Sequence, residues 1–414
     1  MEFKEFDGFK YIDGGVCAAK GFKANGLNCG YNPDKEKNDL CLVASDVMCN
    51  AAGVYTQNKV KGAPVIVTKN NLAQTGGKAK AIIANSKNAN TCNVDGMEKA
   101  LRMCELAASK LDIKPCEVIV ASTGVIGQPI PIEPVETHID ELYEGLSYTG
   151  NAKAANAIMT TDTSPKEVAV EFELDGKICH LGGMGKGSGM IHPNMATTLN
   201  FITTDAAISS EMLQKALTEN VKITYNCLSI DGDQSTNDTL TVMANGLCGN
   251  VEITEEDENY KKISKALYIV MMNITKMLAG DGEGATKLLE CTVSKAKDVD
   301  SAIVVAKSVI CSPLFKCAMF GEDANWGRIL CAVGNANAEL DIDKVDVDIA
   351  SKVGAFAVCK NGSGVDFSED FAKTVLGEKE IHINISLNSG DAQAQAWGCD
   401  LTYDYVKING DYRS

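Results

Sequence analysis

The sequence feature that most constrains the fold of this 414-residue chain is a hairpin signal before its midpoint. The runs VAVEFEL and KICHL flank Asp175-Gly176, a dipeptide that favours the two-residue turn between antiparallel strands. Earlier strand-like runs are CLVAS (41–45), PVIVT (64–68), AIIAN (81–85) and EVIVAS (117–122). Because these strands alternate with helical patterns, the sequence predicts the α+β class, with sheets layered against helices.

Three amphipathic patterns predict helices. The first runs from Asp95 to Leu111, with an apolar side predicted to contain Met97, Leu101, Cys104 and Ala108. The others cover 210–220 and about 255–278. Further strands are predicted at LNFITTDA (199–206) and at 381–386, where isoleucines alternate with polar residues. That alternation places His382 on the outer face of its strand, so no catalytic role is expected for it.

Composition disfavours several classes of protein. The net charge of −16 disfavours nucleic acid and anionic membranes as partners. The first fifteen residues lack an apolar core, and the apolar stretch near 266–272 is too short to span a membrane, so we expect a cytoplasmic protein. Sixteen scattered cysteines without a C-x-x-C pair predict reduced thiols, and four histidines without ligand spacing predict no metal site.

The most unusual segment is GGMGKGSGMIHPNMATTLNFITTDA (182–206). It does not fit a phosphate-binding loop, since Lys186 is followed by Gly187 where that loop needs serine or threonine. A second glycine cluster, GDGEGATK (280–287), matches the dinucleotide pattern only loosely and follows a helix. A nucleotide site is therefore disfavoured.

Within the first of these segments, Lys186-Gly-Ser-Gly-Met190 precedes Ala196-Thr197. In this it resembles the ornithine acetyltransferase (glutamate N-acetyltransferase) family of arginine biosynthesis. The resemblance spans nearly the whole chain and includes seven further blocks: NSKNANTC (85–92), ASTGVIGQPIP (121–131), IMTTDTSPK (158–166), SIDGDQSTNDT (229–239), GDGEGATK (280–287), GEDANWGRI (321–329) and KINGDYRS (407–414).

The resemblance implies a precursor that cuts itself between Ala196 and Thr197. The products would be an α chain, 1–196, and a β chain, 197–414, in a layered αββα fold and an α2β2 assembly. Thr197 would then be the nucleophile, and its freed α-amine, with a pKa of about 7.7–8.0, would be the general base. No histidine is needed for such a pair.

The resemblance also implies the other site residues. Thr123 and Gly124 would form the oxyanion hole. The implied substrate contacts are Thr160, Lys186, Thr197, Glu283, Asn409 and Ser414. As a hypothesis, Lys186 pairs with the carboxylate of an acetylated amino acid and Glu283 with the ammonium group of ornithine. Ser414 departs from the family's usual terminal threonine, and His192 is interpreted as a loop residue.

The implied reaction is a ping-pong transfer. N-acetylornithine would acetylate Thr197, and glutamate would then take the acetyl group. No cofactor or metal is expected, although acetyl-CoA is a possible second donor. Two alternatives stay open at this point: an N-terminal-nucleophile aminopeptidase or amidase of related fold, and a small-molecule- or nucleotide-binding protein that never cleaves.

Overall fold

The computed structural model describes residues 3–192 and 198–411. Three predicted site residues, Ala196, Thr197 and Ser414, lie outside these described residues. The described residues form two compact units. The first contains 3–187, 198–222 and 234–274, and the second contains 188–192, 223–233 and 275–411. Both sides of the predicted cut thus contribute to the first unit.

The strands and helices, in chain order, have the following bounds. The strands are β1 Phe9–Ile12, β2 Phe22–Leu27, β3 Leu40–Tyr55, β4 Lys78–Asn85, β5 Val118–Ser122, β6 Lys166–Leu174, β7 Lys177–Lys186, β8 Leu199–Thr204, β9 Leu228–Ser229, β10 Thr239–Ala244, β11 Leu288–Ala296, β12 Asp346–Ser351, β13 Gly354–Lys360, β14 Ser363–Gly364, β15 Glu380–Ser386 and β16 Ala392–Cys399. The α-helices are α1 Ala63–Gln74, α2 Gly96–Leu111, α3 Glu133–Glu144, α4 Asn151–Ala157, α5 Ser210–Ile223, α6 Glu258–Gly280, α7 Val299–Ile310, α8 Pro313–Phe320, α9 Trp326–Gly334, α10 Glu369–Leu376 and α11 Tyr403–Gly410.

The first unit is built on a mixed sheet with the order β1-β6-β7-β8-β10-β3-β4-β5, and β2 pairs with β3. Pairs β8–β10 and β4–β5 are parallel, and the other pairs are antiparallel. Successive strand residues point to opposite faces. Accordingly Ile82 belongs to one apolar cluster, whereas Ile83 belongs to another that includes side chains from α1, α2 and α3.

The second unit has its own mixed sheet, with the order β14-β13-β12-β15-β11-β16-β9. Helix α7 packs on β11 and β16. It begins after Asp298, whose side chain accepts a hydrogen bond from the Ser301 N–H and so caps the helix. Its buried residues include Val305 and Val309. Helices on mixed sheets in both units confirm the α+β class.

The hairpin prediction is confirmed. Strands β6 and β7 pair antiparallel from Lys166↔Gly185 to Leu174↔Lys177, and the turn residues Asp175 and Gly176 have φ of 50° and 70°. Positive φ at both central residues is what a type I′ turn requires. The predicted helices appear as α2, α5 and α6. The predicted strands at 41–45, 81–85, 117–122, 199–206 and 381–386 correspond to β3, β4, β5, β8 and β15, although β5 begins one residue later and β8 ends two residues earlier than predicted.

The strand predicted at 64–68 is wrong, because these residues lie in helix α1. Pro64 occupies the first turn, where proline is tolerated since it needs no hydrogen-bond donor there. Val65, Val67 and Leu72 are buried, and the Thr68 hydroxyl donates a hydrogen bond to Val120 O in β5. The pattern of a short run of β-branched residues does not distinguish a strand from a buried helix, and here packing on the sheet selects the helix.

The buried face of α2 differs from the predicted one. Cys104 and Ala108 are buried as expected, but the side chains of Met97 and Leu101 are 39% and 44% exposed. Ala100 instead lies in the core. In β15 the alternation is confirmed, since Ile381, Ile383 and Ile385 are buried and His382 is half-buried.

The expectation of reduced thiols is wrong for one pair, because Cys179 in β7 is disulfide-bonded to Cys248, which follows β10. They lie 69 residues apart, so only the tertiary pairing of strands brings them together. The other fourteen cysteines, all in the described part of the chain, are not disulfide-bonded. Within 3–192 and 198–411 no single helix is long and apolar enough to cross a membrane, while the pair Val299–Ile310 and Pro313–Phe320, bent by 58°, reaches that length and composition together.

Candidate active site

The predicted oxyanion residues form a turn directly after β5. The Thr123 N–H donates to Asn85 O at 3.0 Å, and the Val125 N–H donates to Lys87 O at 3.1 Å. Gly124 between them has φ of 130°, and a Cβ there would lie 2.2 Å from the Lys87 carbonyl carbon. Both the backbone conformation and the close approach therefore require glycine.

Lys186 ends β7 and reaches this turn. Its side chain is buried, and its Nζ donates to Thr123 Oγ1 at 3.4 Å. The Thr123 N–H is already committed to Asn85 O, so the hydroxyl is the group of Thr123 that remains for a ligand. Lys186, which is predicted to bind a carboxylate, thus contacts Thr123, which is predicted to stabilise the oxyanion.

Asp162, which was not among the predicted site residues, connects Thr160 to the same end of β7. Its Oδ2 accepts the Thr160 N–H at 3.0 Å. Its Oδ1 accepts the Gly187 N–H and the Lys166 Nζ, each at 2.7 Å. Burial opposes ionisation of Asp162, but the charges of Lys186 and Lys166 together with these hydrogen bonds hold its pKa at about 2. The carboxylate therefore ties Thr160 to the residue after Lys186.

A second missed carboxyl group lies beside the predicted cut. The Thr198 N–H donates to Asp238 Oδ1 at 2.7 Å, and Asp238 is only 1% exposed. Its Oδ2 is buried without a hydrogen-bond partner among the described residues. Burial raises the pKa of Asp238 to about 8, although the Thr198 N–H, the Ser235 hydroxyl and the Lys186 charge act in the opposite direction.

Sequence signals existed for both missed residues. Asp162 lies within the block IMTTDTSPK and Asp238 within SIDGDQSTNDT, two of the blocks that carry the family resemblance. An aspartate in a polar run is most often a solvated turn residue, so its burial is the informative property. Burial depends on non-local packing, which the runs themselves do not show.

The second unit contains the other predicted substrate residues that are described. Glu283 is buried, and its N–H donates to Ser188 O at 2.8 Å. Its Oε2 accepts the Asn409 Nδ2 at 2.7 Å. A Cβ on Gly189 would lie 2.1 Å from Glu283 Cδ, so the glycine-rich loop packs directly on this carboxylate. The structure thus brings Glu283 and Asn409 together.

His192 lies in a loop of the second unit, which confirms its interpretation as a loop residue. Its Nδ1 is 3.0 Å from Ser229 Oγ. Burial, followed by the charge of Lys307, lowers the pKa of His192. A half-buried, neutral imidazole with a serine partner gives no reason to assign it a catalytic role.

The chain is similar to known proteins over nearly its whole length. The model of the ArgJ family matches residues 23–414. A Clostridium acetobutylicum protein named arginine biosynthesis bifunctional protein ArgJ 1 is 50% identical over 394 residues, covering 95% of this chain and 96% of the relative. A Caldanaerobacter subterraneus protein named arginine biosynthesis bifunctional protein ArgJ is 48% identical over 404 residues, covering 97% of this chain and 99% of the relative.

Two solved structures are also similar. The Bacillus halodurans arginine biosynthesis bifunctional protein ArgJ is 42% identical, with a TM-score of 0.49, covering 51% of this chain and 97% of that chain. The ornithine acetyltransferase of Mycobacterium tuberculosis, solved with ornithine, is 34% identical, with a TM-score of 0.42, covering 45% of this chain and 100% of that chain.

Proposed function

This chain belongs to the ArgJ family and is an acetyltransferase of arginine biosynthesis, and we propose that it transfers acetyl from N2-acetylornithine to glutamate through an acetyl-Thr197 intermediate. The observation that carries this proposal is the family match from residue 23 to 414. The aminopeptidase alternative is not favoured, since the relatives that match almost the whole chain are named for arginine biosynthesis.

Self-cleavage before Thr197 leaves the two products associated. The predicted cut falls between β7 and β8, which are neighbours in the first unit and pair antiparallel from Leu181↔Thr204 to Lys186↔Leu199. Strand β10 of the predicted β chain likewise pairs with β3 of the predicted α chain. These backbone hydrogen bonds do not depend on the Ala196–Thr197 peptide, so the α and β chains remain one folded enzyme. We further propose that the enzyme forms an α2β2 assembly and is located in the cytoplasm.

In the first half-reaction, the Thr197 hydroxyl attacks the acetyl carbonyl of N-acetylornithine while the Thr197 α-amine takes its proton. The carbon–nitrogen bond then breaks, the Thr197 α-ammonium returns that proton to the ornithine nitrogen, and ornithine leaves acetyl-Thr197 behind. The developing oxyanion is stabilised by the Gly124 N–H and the Thr123 hydroxyl. Because Lys186 Nζ donates to Thr123 Oγ1, that oxygen is held in place and its own hydrogen is directed elsewhere, towards the oxyanion. One preorganised donor of this kind contributes about 2.7–4 kcal/mol to the transition state.

Substrate recognition follows from charge. The Lys186 ammonium is proposed to bind the substrate carboxylate, and Thr160 adds a polar contact on the segment that Asp162 secures. The Glu283 carboxylate is proposed to bind the ornithine ammonium group, with Asn409 donating to Glu283 Oε2 so that the acid keeps one orientation. Ser414 is proposed to supply a hydroxyl contact.

In the second half-reaction, the glutamate amine attacks the acetyl-Thr197 ester and gives up a proton to the Thr197 α-amine. The carbon–oxygen bond to Thr197 then breaks, the α-ammonium returns the proton to the Thr197 oxygen, and N-acetylglutamate leaves. An amide is exchanged for an amide, so the reaction needs no ATP, metal or cofactor as an energy source. We further propose acetyl-CoA as a second donor, since the relatives are named bifunctional. Purified enzyme given acetyl-CoA and glutamate without acetylornithine should form N-acetylglutamate, and a rate equal to the blank would restrict it to recycling.

The central experiment combines Thr197→Ala with product analysis. The wild-type chain should give two bands on a denaturing gel, the second beginning Thr-Thr-Leu-Asn-Phe, and should convert acetylornithine and glutamate to ornithine and acetylglutamate. Thr197→Ala should remain one 44.0 kDa chain without transferase activity. Free acetate in place of acetylglutamate would support a hydrolase, and cutting of Thr197→Ala would refute the nucleophile.

A further inference from the structure

Self-cleavage poses a proton-transfer problem that the mature enzyme does not have. In the mature enzyme the Thr197 α-amine is the base. In the uncut chain the same nitrogen is part of the Ala196–Thr197 amide and cannot accept a proton. The first cut therefore needs a different group to take the proton from the Thr197 hydroxyl.

Asp238 is bonded to the adjacent peptide. Its Oδ1 accepts the Thr198 N–H at 2.7 Å, and that N–H belongs to the peptide that joins Thr197 to Thr198. The Thr198 carbonyl oxygen in turn accepts the Thr239 N–H at 2.9 Å, so Asp238 and the residue after it both hold Thr198. The carboxyl group is thus anchored one peptide group away from the predicted nucleophile.

The local structure is unusual in two further respects. Thr198 has φ of 103°, a conformation that a β-branched residue adopts only where its surroundings impose it. Asp238 Oδ2 is buried and lacks a hydrogen-bond partner among the described residues, which is costly for a carboxyl oxygen. An unpartnered buried carboxyl oxygen next to an imposed backbone conformation is typical of a functional site rather than of simple packing.

We propose that Asp238 carries the proton of self-cleavage, an inference that rests on the proposed role of Thr197. The Asp238 carboxylate takes the Thr197 Oγ proton as Oγ bonds to the Ala196 carbonyl carbon. When the carbon–nitrogen bond breaks, the protonated carboxyl returns that proton to the Thr197 nitrogen, which leaves a free amine and an Ala196–Thr197 ester. Water then hydrolyses the ester, restoring the Thr197 hydroxyl and releasing the Ala196 carboxylate.

The electrostatic surroundings suit this role. Among the described residues, Lys186 at the end of β7 is the one charged group that affects the pKa of Asp238. The nearby Asp162 is paired with Lys166 and also feels the Lys186 charge. Thr198 and Ser235, which face the carboxyl group from the other segments, are neutral. Burial outweighs the Lys186 charge and raises the pKa to about 8, so the group can both accept and return a proton near neutral pH.

The test measures the first cut directly. Radiolabelled precursor is made by cell-free translation at pH 6, shifted to buffers between pH 6 and 9.5, and followed on denaturing gels. Asp238→Asn keeps an oxygen for the Thr198 N–H but cannot ionise. Asp205→Asn is the matched control, because Asp205 is another fully buried acid that accepts backbone N–H groups but follows the far end of β8.

The wild-type rate should rise with pH and level off above about 8, since the carboxylate is the active form. Asp238→Asn should be cut roughly 10²–10⁴-fold more slowly, and its cleavage rate should no longer level off above about pH 8. Asp205→Asn should keep the wild-type profile. Circular dichroism melts of each variant show whether it is folded.

Two results overturn the inference. One is an Asp238→Asn variant that cuts within about threefold of wild type with the same profile. The other needs no variant and decides the matter even if Asp238→Asn does not fold: a wild-type rate that is flat with pH or that rises without levelling. A wild-type chain that is not cut before Thr197, or a Thr197→Ala chain that is cut, instead refutes the proposed function.

Discussion

Gly124→Ala tests the oxyanion turn at the position where the backbone is most constrained. The added methyl carbon would lie 2.2 Å from the Lys87 carbonyl carbon, 2.4 Å from Lys87 O and 2.5 Å from Asn88 N. Carbon atoms in contact are normally about 3.5–4.0 Å apart, so the turn must move by more than about 1 Å. The neighbours Thr123 and Val125 are hydrogen-bonded through their own N–H groups, so the displacement falls on the Gly124 peptide.

The expected cost has two parts. A non-glycine residue at this positive φ loses roughly 1–2 kcal/mol of stability, and the clash adds to that loss. Displacing one oxyanion donor lowers kcat about 10²–10³-fold, equivalent to about 2.7–4 kcal/mol. We therefore expect a protein that is moderately destabilised and at least about a hundredfold less active.

The matched control is Gly127→Ala, three residues along the same loop. Gly127 has φ of 77°, but no atom of the described residues lies within 4 Å of the position that an added Cβ would occupy. It should lose a similar amount of stability from backbone strain while keeping acetyltransferase activity within a few-fold. Urea denaturation measures stability, and kcat with acetylornithine and glutamate measures catalysis. Gly124→Ala with kcat within about threefold of Gly127→Ala would show that the turn does not stabilise the oxyanion.

Three further predictions concern the acidic residues and the carboxyl-terminal helix. The pKa of Asp162 is lowered from 3.8 to about 2, so its roughly 2 kcal/mol of stabilisation is present above pH 3.8 and is lost as the pH falls towards 2. The difference in the free energy of unfolding between wild type and Asp162→Asn, measured in urea, should therefore narrow over that range. A constant difference contradicts the ion-pair network. Asn409→Ala removes the donor to Glu283 and should raise the KM for acetylornithine about tenfold, whereas Lys407→Ala on the same helix should not; equal KM values refute the contact. Deleting 409–414 should leave a processed, folded protein with large loss of transfer activity, and full activity would remove Asn409 and Ser414 from the site.

Local sequence determines the elements whose signal is contained in their own residues. The Asp175-Gly176 hairpin follows from a turn that needs two residues with positive φ between alternating strands. The existence of helix α2, though not its buried face, and the alternation of strand β15 follow from their 3.6- and 2-residue periods. The turn at Thr123-Gly124 and the lysine at 186 were identified by family resemblance, and the structure places them in contact.

Tertiary structure alone decides what depends on partners distant in sequence. Residues 64–68 are helical, and Val65, Val67 and Thr68 among them are buried, with the Thr68 hydroxyl bonded to β5. Cys179 likewise meets Cys248 only through the sheet. The clearest case is the pair of aspartates, whose side chains are both buried. Asp162 lies among lysines and has a pKa of about 2, whereas Asp238 has a pKa of about 8 and an oxygen without a hydrogen-bond partner in 3–192 and 198–411. The side chains are identical, so the difference lies in the charges and hydrogen-bond donors that the fold places around each one.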